Sequence, residues 1–273
     1  PEPEHTGIWA AALAELVRQA GDPDVAVPVW PATHTPLGIK REIAAHGIFP
    51  ALTPTEQARA IDGYAPIEMQ YGENDFVNYK SYAEFQVQAD AELRKELDAG
   101  FAKEARTLEQ LEEVVGKTTL SKVGVIVKVK GDKVKVRLIH DLSRSGVNHL
   151  ITLQERVVLP RLSDVIDATR DLLAQRTATN RVELLVLDFR DAFKQLHVHP
   201  EEQGYLAGAF SGGFFAYQRV LFGVVTGPLV WGRVAACLMR ATQAMHPPER
   251  LRLACYVDDP FVVTLGTDVE RFT

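Results

Sequence analysis

The spacing of hydrophobic and polar residues changes character twice along the chain. Residues 1–80 show only short helical patches, at 9–20 and 54–61, between prolines (Pro23, Pro28, Pro31, Pro36, Pro50, Pro54, Pro66), which predicts a loosely packed lead-in. Residues 82–98 mix Ala, Glu, Leu, Gln and Lys and predict a helix, with Gly100 at the left-handed C-cap position. Thr107 followed by Gln110 resembles a capping box opening a second helix that ends at Gly116.

Beyond Gly116 the period drops to two. Residues 123–130, a Gly131-Asp132 turn and residues 133–139 alternate apolar with basic side chains, as a hairpin with one packed and one cationic face would. Residues 163–174 then predict an amphipathic helix, and 182–187 a strand buried on most sides. A strand at 214–222, a long helix at 228–245 and strands at 253–257 and 261–265 joined by Asp258-Asp259-Pro260 complete the pattern. Helices and strands mix without strict alternation, so the fold class is α+β. No internal repeat or low-complexity tract interrupts the chain.

The length, 273 residues, suits about two domains and a core needing no covalent staple. Cys237 and Cys255 are the only cysteines, too few for a cystine framework or a four-thiolate zinc site, and their scarcity fits a reducing, intracellular setting. No run of about 18 apolar residues occurs, and the amino end is acidic, which argues against a membrane span or a secretory signal. A start at Pro1 and a stop in an acidic stretch at Thr273 suggest a piece of a longer protein. The net charge of −6 is unevenly spread. Between Lys117 and Arg137, Lys117, Lys122, Lys128, Lys130, Lys133, Lys135 and Arg137 face a single acid, Asp132. Such a strip can follow a phosphate backbone, although a solvated lysine-rich hairpin gives the same pattern.

Asp188 ends the apolar run 184–187, and Asp258 and Asp259 sit between two apolar strands. An acid at a strand end normally caps a turn. Three of them at the edges of strands that can share a sheet also suit a pair of Mg²⁺ ions, which prefer oxygen ligands, keep waters and borrow further ligands from phosphates. Two such ions about 3.5 to 4 Å apart serve phosphoryl transfer, and they would offset the repulsion between clustered acids.

At these residues the chain resembles the reverse transcriptases (RNA-directed DNA polymerases) of retroelements. Leu187-Asp188-Phe189-Arg190-Asp191-Ala192-Phe193 is similar to the first palm motif of that family, and Tyr256-Val257-Asp258-Asp259 to its Tyr-x-Asp-Asp signature. Between them, residues 220–228 resemble the loop-to-helix motif that often reads Leu-Pro-Phe-Gly-Leu-x-x-Ala-Pro, and residues 135–148 a fingers segment. The four motifs stand in the family's order across about residues 82–265.

The resemblance implies a right-hand polymerase fold with a central antiparallel sheet and the thumb missing. Its parts would be a lead-in of unknown role (1–80), fingers (81–163 and 196–226) and palm (164–195 and 227–273). It implies that Asp188, Asp258 and Asp259 hold two Mg²⁺ ions, with Mn²⁺ as a substitute, and that a primer 3′-hydroxyl attacks the α-phosphate of a deoxynucleotide. Lys130 and Arg137 match the cations that clasp the triphosphate, while the backbone amides of Asp191 and Ala192 would meet its oxygens. Phe193 would lie beneath the sugar, leaving no room for a 2′-hydroxyl. Phe222 and Gly223 would rest on the templating base pair, and Arg144, Asn148, Arg161 and Tyr256 are candidate contacts to template or primer. The implied partners are an RNA or DNA template with its primer, the deoxynucleotides, and thumb, RNase H or integrase domains of a parent polyprotein, with no membrane. The rival reading is a catalytically silent, nucleic-acid-binding remnant of a decayed element.

Other signals are weaker. Gly116-Lys117-Thr118 resembles the end of a phosphate-binding loop, but Leu111 stands where its first glycine belongs. His197 and His199 share a strand face without a nearby third ligand, and Trp231 and Met239 read as core. Pro260 replaces the aliphatic residue usual after the Asp pair and would remove one ladder hydrogen bond.

Overall fold

The computed structural model describes residues 10–56, 76–131, 133–177 and 180–266. Trp9, Asp132 and most of the helix expected at 54–61 lie outside them, although helical structure does begin at Pro54. Among the described residues no helix is long and apolar enough to cross a membrane.

Helix α1 (Ala10–Ala20) buries Leu13 and Val17, four residues apart and hence on one face. The chain then turns through Asp22 and Asp24 to a helical turn at Trp30–Thr33. The segment is not the loosely packed lead-in that its prolines predict. Leu13, Val17, Val27, Trp30, Leu37 and Ile43 all join the main hydrophobic core. The buried Glu202 carboxylate accepts hydrogen bonds from the backbone N–H groups of Leu37, Ile39, Lys40 and Arg41, at 2.7, 2.9, 2.8 and 3.2 Å. Four backbone amides outside any helix or strand are thus satisfied on one side chain.

The helix expected at 82–98 is present as two pieces, α2 (Lys80–Glu84) and α3 (Gln86–Asp98). Phe85 leaves helical space (φ −121°, ψ 33°), and its N–H closes a tight turn onto the Tyr82 carbonyl. Gly100 takes the positive φ expected of it, 71°. After β1 (Ala102–Ala105), α4 (Leu108–Val115) starts where the Thr107 hydroxyl accepts from the Gln110 N–H, and it ends at Gly116. The expected hairpin is β2 (Lys122–Lys130) and β3 (Lys133–Asp141), in unbroken antiparallel register.

Helix α5 (Leu162–Ala174) precedes β4 (Arg181–Val186). Two short strands, β5 (Ala207–Phe210) and β6 (Gly213–Tyr217), follow. The strand expected at 214–222 therefore ends early, and β1 and β5, each four residues long, carry too short a pattern to be read. Helix α6 (Gly227–Ala244), with Pro228 in its first turn, leads to β7 (Leu251–Tyr256) and β8 (Asp259–Gly266). Among the described residues the strands form three antiparallel sheets, ordered β1-β6-β5, β2-β3 and β4-β8-β7.

One expectation fails in β4. Leu184, Leu185, Val186 and Leu187 are 44 to 61% exposed, where the apolar run predicts burial. Strand β4 is an edge strand, paired with β8 alone and only partly covered by α5, so among the described residues little packs on its outer side. The main core lies elsewhere, and α6, which packs on β7, buries Leu229, Val230, Trp231, Val234 and Cys237 in it.

Candidate active site

The sheet β4-β8-β7 brings the two acidic motifs together by register. Val186 pairs with Phe261, and two hydrogen bonds continue the pairing past the end of β4, from the Leu187 N–H to the Pro260 carbonyl and from the Phe189 N–H to the Asp258 carbonyl, both at 2.8 Å. Counting on from Val186, Asp188 falls opposite Asp259. Residues directly opposed across an antiparallel pair point to the same face, about 5 Å apart at their β-carbons. Pro260 stands opposite Cys255 and offers β4 its carbonyl, so the missing N–H leaves the ladder there with an acceptor only.

Asp188, Asp258 and Asp259 line one open cleft of about 510 Å³, together with Asp191, Phe193, Lys194, Phe222 and Tyr256. Asp188 and Asp259 are exposed and Asp258 half-buried. Among the described residues no three His, Cys, Asp or Glu side chains converge on a ready metal position. The donors are nonetheless all hard carboxylate oxygens, and an ion that keeps its waters and shares a substrate's phosphates needs few of them. Their charge is felt nearby. The Cys255 thiol is pushed up to about 12, by burial first and then by Asp258 and Asp259.

Aromatic rings form one wall of the cleft. Phe193 meets Phe222 edge-on at 5.4 Å and lies tilted 6.4 Å from Trp231. Gly227 makes the Phe193 position available, because a β-carbon there would stand 3.1 Å from the ring. Asp191 has a positive φ of 51°, which turns the chain sharply within the first motif; Ala192, buried, follows in a turn of 3₁₀ helix. Lys194 is engaged elsewhere, in an ion pair with Glu96 and over the Phe101 ring.

Phe222 is 75% exposed, at the tip of a loop that Asn148 holds from the side. The Asn148 amide donates to the Gly223 carbonyl and accepts from the Val225 N–H, each at 3.0 Å. Gly223 (φ 115°) comes so near β3 that a β-carbon would lie 3.0 Å from the His140 carbonyl. The sequence carries no signal for this bridge; it offers Asn148 only as a candidate contact to template or primer. Arg161 and Tyr256 line a shallower depression beside the cleft with Leu162 and Phe261, so Tyr256 borders both. Arg144 is exposed beyond the end of β3.

Arg137 is exposed opposite Ile126 and is not among the cleft's lining side chains; Lys130 is paired through its backbone with Lys133 beside the turn. Lys128 and Lys135, both exposed, face each other directly across the hairpin. Like charges in that relation destabilise a sheet. His197 and His199 are both half-buried, and His34 from the amino-terminal segment meets the His197 ring edge-on at 5.7 Å.

No protein-family model and no curated relative matches the chain. Similar solved structures include the native prototype foamy virus protease-reverse transcriptase, with 17% identity and a TM-score of 0.44 over 68% of this chain and 20% of that one. The foamy viral protease-reverse transcriptase in complex with an RNA/DNA hybrid is 13% identical, with a TM-score of 0.48 over 75% of this chain and 23% of that one. In complex with dsDNA it is 15% identical, with a TM-score of 0.46 over 94% and 42%. The chain thus spans between a fifth and less than half of those proteins' length.

Proposed function

We propose that the chain is the fingers and palm portion of an RNA-directed DNA polymerase that joins deoxynucleotides to a primer 3′-hydroxyl on a nucleic-acid template. The observation that carries this reading is the register that sets Asp188 opposite Asp259 at the mouth of a cleft walled by Phe193 and Phe222. Asp188, Asp258 and Asp259 would hold two Mg²⁺ ions, or Mn²⁺ in their place. When bound, such ions lower the pKa of an attacking hydroxyl and neutralise charge on the phosphate being transferred.

The remaining roles belong to the chain's own residues. Phe193 would set its ring beneath the sugar and exclude a 2′-hydroxyl by contact. The sharp turn at Asp191 presents backbone amides of Asp191 and Ala192 to phosphate oxygens. Phe222 and Gly223 give a flat, sequence-blind surface to the base pair, with Asn148 keeping that loop in place. The β2–β3 hairpin supplies Lys130 and Arg137 to the triphosphate, and the opposed Lys128 and Lys135 suit an extended polyanion, whose binding would relieve their repulsion. Arg144, Arg161 and Tyr256 flank the path of template and primer. A polymerase of this kind works on intracellular nucleic acid, with thumb and RNase H or integrase units as the partners expected in a polyprotein.

Primer extension with Mg²⁺ tests the proposal, using this chain and a longer parent that carries the downstream domains. Incorporation that disappears in Asp188→Asn, with primer-template binding retained, is the expected result. Binding without extension in both proteins would favour the silent remnant instead.

A further inference from the structure

The tip between β7 and β8 is badly suited to its own turn. Two-residue hairpin loops favour Asn, Asp or Gly at positions of positive φ, and here Val257 and Asp258 fill the loop. Val257 has a φ of 57°, a conformation that a β-branched residue rarely adopts and that must be imposed by its surroundings. A hydrogen bond from the core supplies that constraint. The Trp231 indole N–H, on a side chain only 1% exposed, donates to the Val257 carbonyl at 2.7 Å. The Cys255 thiol approaches the same carbonyl at 3.3 Å.

The same indole also braces the other acidic motif. Phe189, the residue after Asp188, meets Trp231 edge-on at 5.3 Å, and its own N–H is bonded to the Asp258 carbonyl. Trp231 therefore touches both chain segments that carry the acids, without lining the cleft. A phenylalanine would keep most of the ring contacts and lose the donor.

We infer that Trp231 is a positioning residue: its N–H pins the strained Val257 and so fixes the direction in which Asp258 and Asp259 face Asp188. That this matters for metal binding rests on the proposed polymerase reading; that it fixes the hairpin does not.

Two variants of the full chain separate the contributions, Trp231→Phe and replacement of Trp231 by benzothienylalanine, which has the indole's shape without its N–H. Amide hydrogen exchange of the metal-free protein should quicken across residues 251–266 in both, by about fivefold, the factor that one ordinary hydrogen bond carries, with other segments unchanged. Placing Val257→Gly beneath either variant should shrink the effect below about twofold, because glycine adopts the positive φ without help. Mn²⁺ affinity, followed by electron paramagnetic resonance, should fall by a similar factor, and the loss in extension should appear in kcat with the nucleotide KM nearly constant. Exchange at the hairpin that is unchanged in the benzothienylalanine protein overturns the inference, whatever the metal does. Exchange that quickens there while the unaltered protein binds no Mn²⁺ supports the positioning role and removes the polymerase reading instead. If Trp231→Phe quickens exchange everywhere, it has disturbed the core, and the benzothienylalanine protein decides.

Discussion

Arg233 on α6 and Asp24 in the amino-terminal segment form an ion pair with both side chains wholly excluded from solvent. The contact is two-pronged, Nε to Oδ2 at 2.8 Å and Nη2 to Oδ1 at 2.5 Å, while Nη1 donates to the Ala44 carbonyl and the guanidinium lies 5.1 Å from the Trp30 ring centre. One helix thus anchors the lead-in and backs the acidic hairpin. Removing one partner strands a buried charge, so Arg233→Met should cost about 3 to 5 kcal/mol in urea unfolding. Coupling it with Asp24→Leu should recover much of that loss. Equal destabilisation in the single and double variants would contradict this account.

Phe193→Val should relax sugar selection, raising ribonucleotide over deoxyribonucleotide incorporation by about tenfold or more. Gly227→Ala should also alter that ratio, since the new β-carbon would stand 3.1 Å from the ring and press on it. Single-nucleotide incorporation with both nucleotide types checks each; discrimination untouched in both variants would remove Phe193 from the sugar site.

Lys128→Gln and Lys135→Gln should each reduce the dependence of log K on log salt for a primer-template by about 0.7 to 0.9. Neither should lower the thermal midpoint, because each relieves a repulsion across the hairpin. A titration at several ionic strengths decides the first point, and a melting curve the second.

Stability should fall in mild acid. Burial against Phe215 and Tyr217 pushes the His140 imidazole down to about 3, with a smaller effect of the Lys194 charge. Its folded pKa is depressed, so the unfolded chain takes up the extra proton. The contribution is whole above about pH 6.5 and declines by about 1.4 kcal/mol for each pH unit below it. His34 has the same sign, lowered by burial and by the charges of His199 and Arg219. Urea unfolding at pH 7, 6 and 5 should register a loss of about 2 kcal/mol at the lowest value. A flat profile over that window would show that His140 is not buried as a neutral ring.

Much of this was legible in local pattern. Alternation with period two located β2 and β3, the Thr107 cap and Gly116 bounded α4, and Pro228 marked the first turn of α6. The apolar run of β4 misled, because a run of leucine and valine states that a strand prefers burial and not what covers it. Proline density misled at residues 10–56, since the partners of that backbone, Glu202 and Arg233, lie far along the chain.

The sequence by itself determined which residues are candidates for the proposed chemistry: acids at the ends of two apolar strands, an aromatic beside the first, and a basic hairpin upstream. Those features are local, set by side-chain type and by a spacing of two or three residues. Only the tertiary structure decided that Asp188 falls opposite Asp259, that Asn148 secures the Phe222 loop, and that Trp231 holds Val257 in its strained turn. Each of these joins segments dozens of residues apart, and such pairings follow from strand register and core packing, which no window of neighbouring residues encodes.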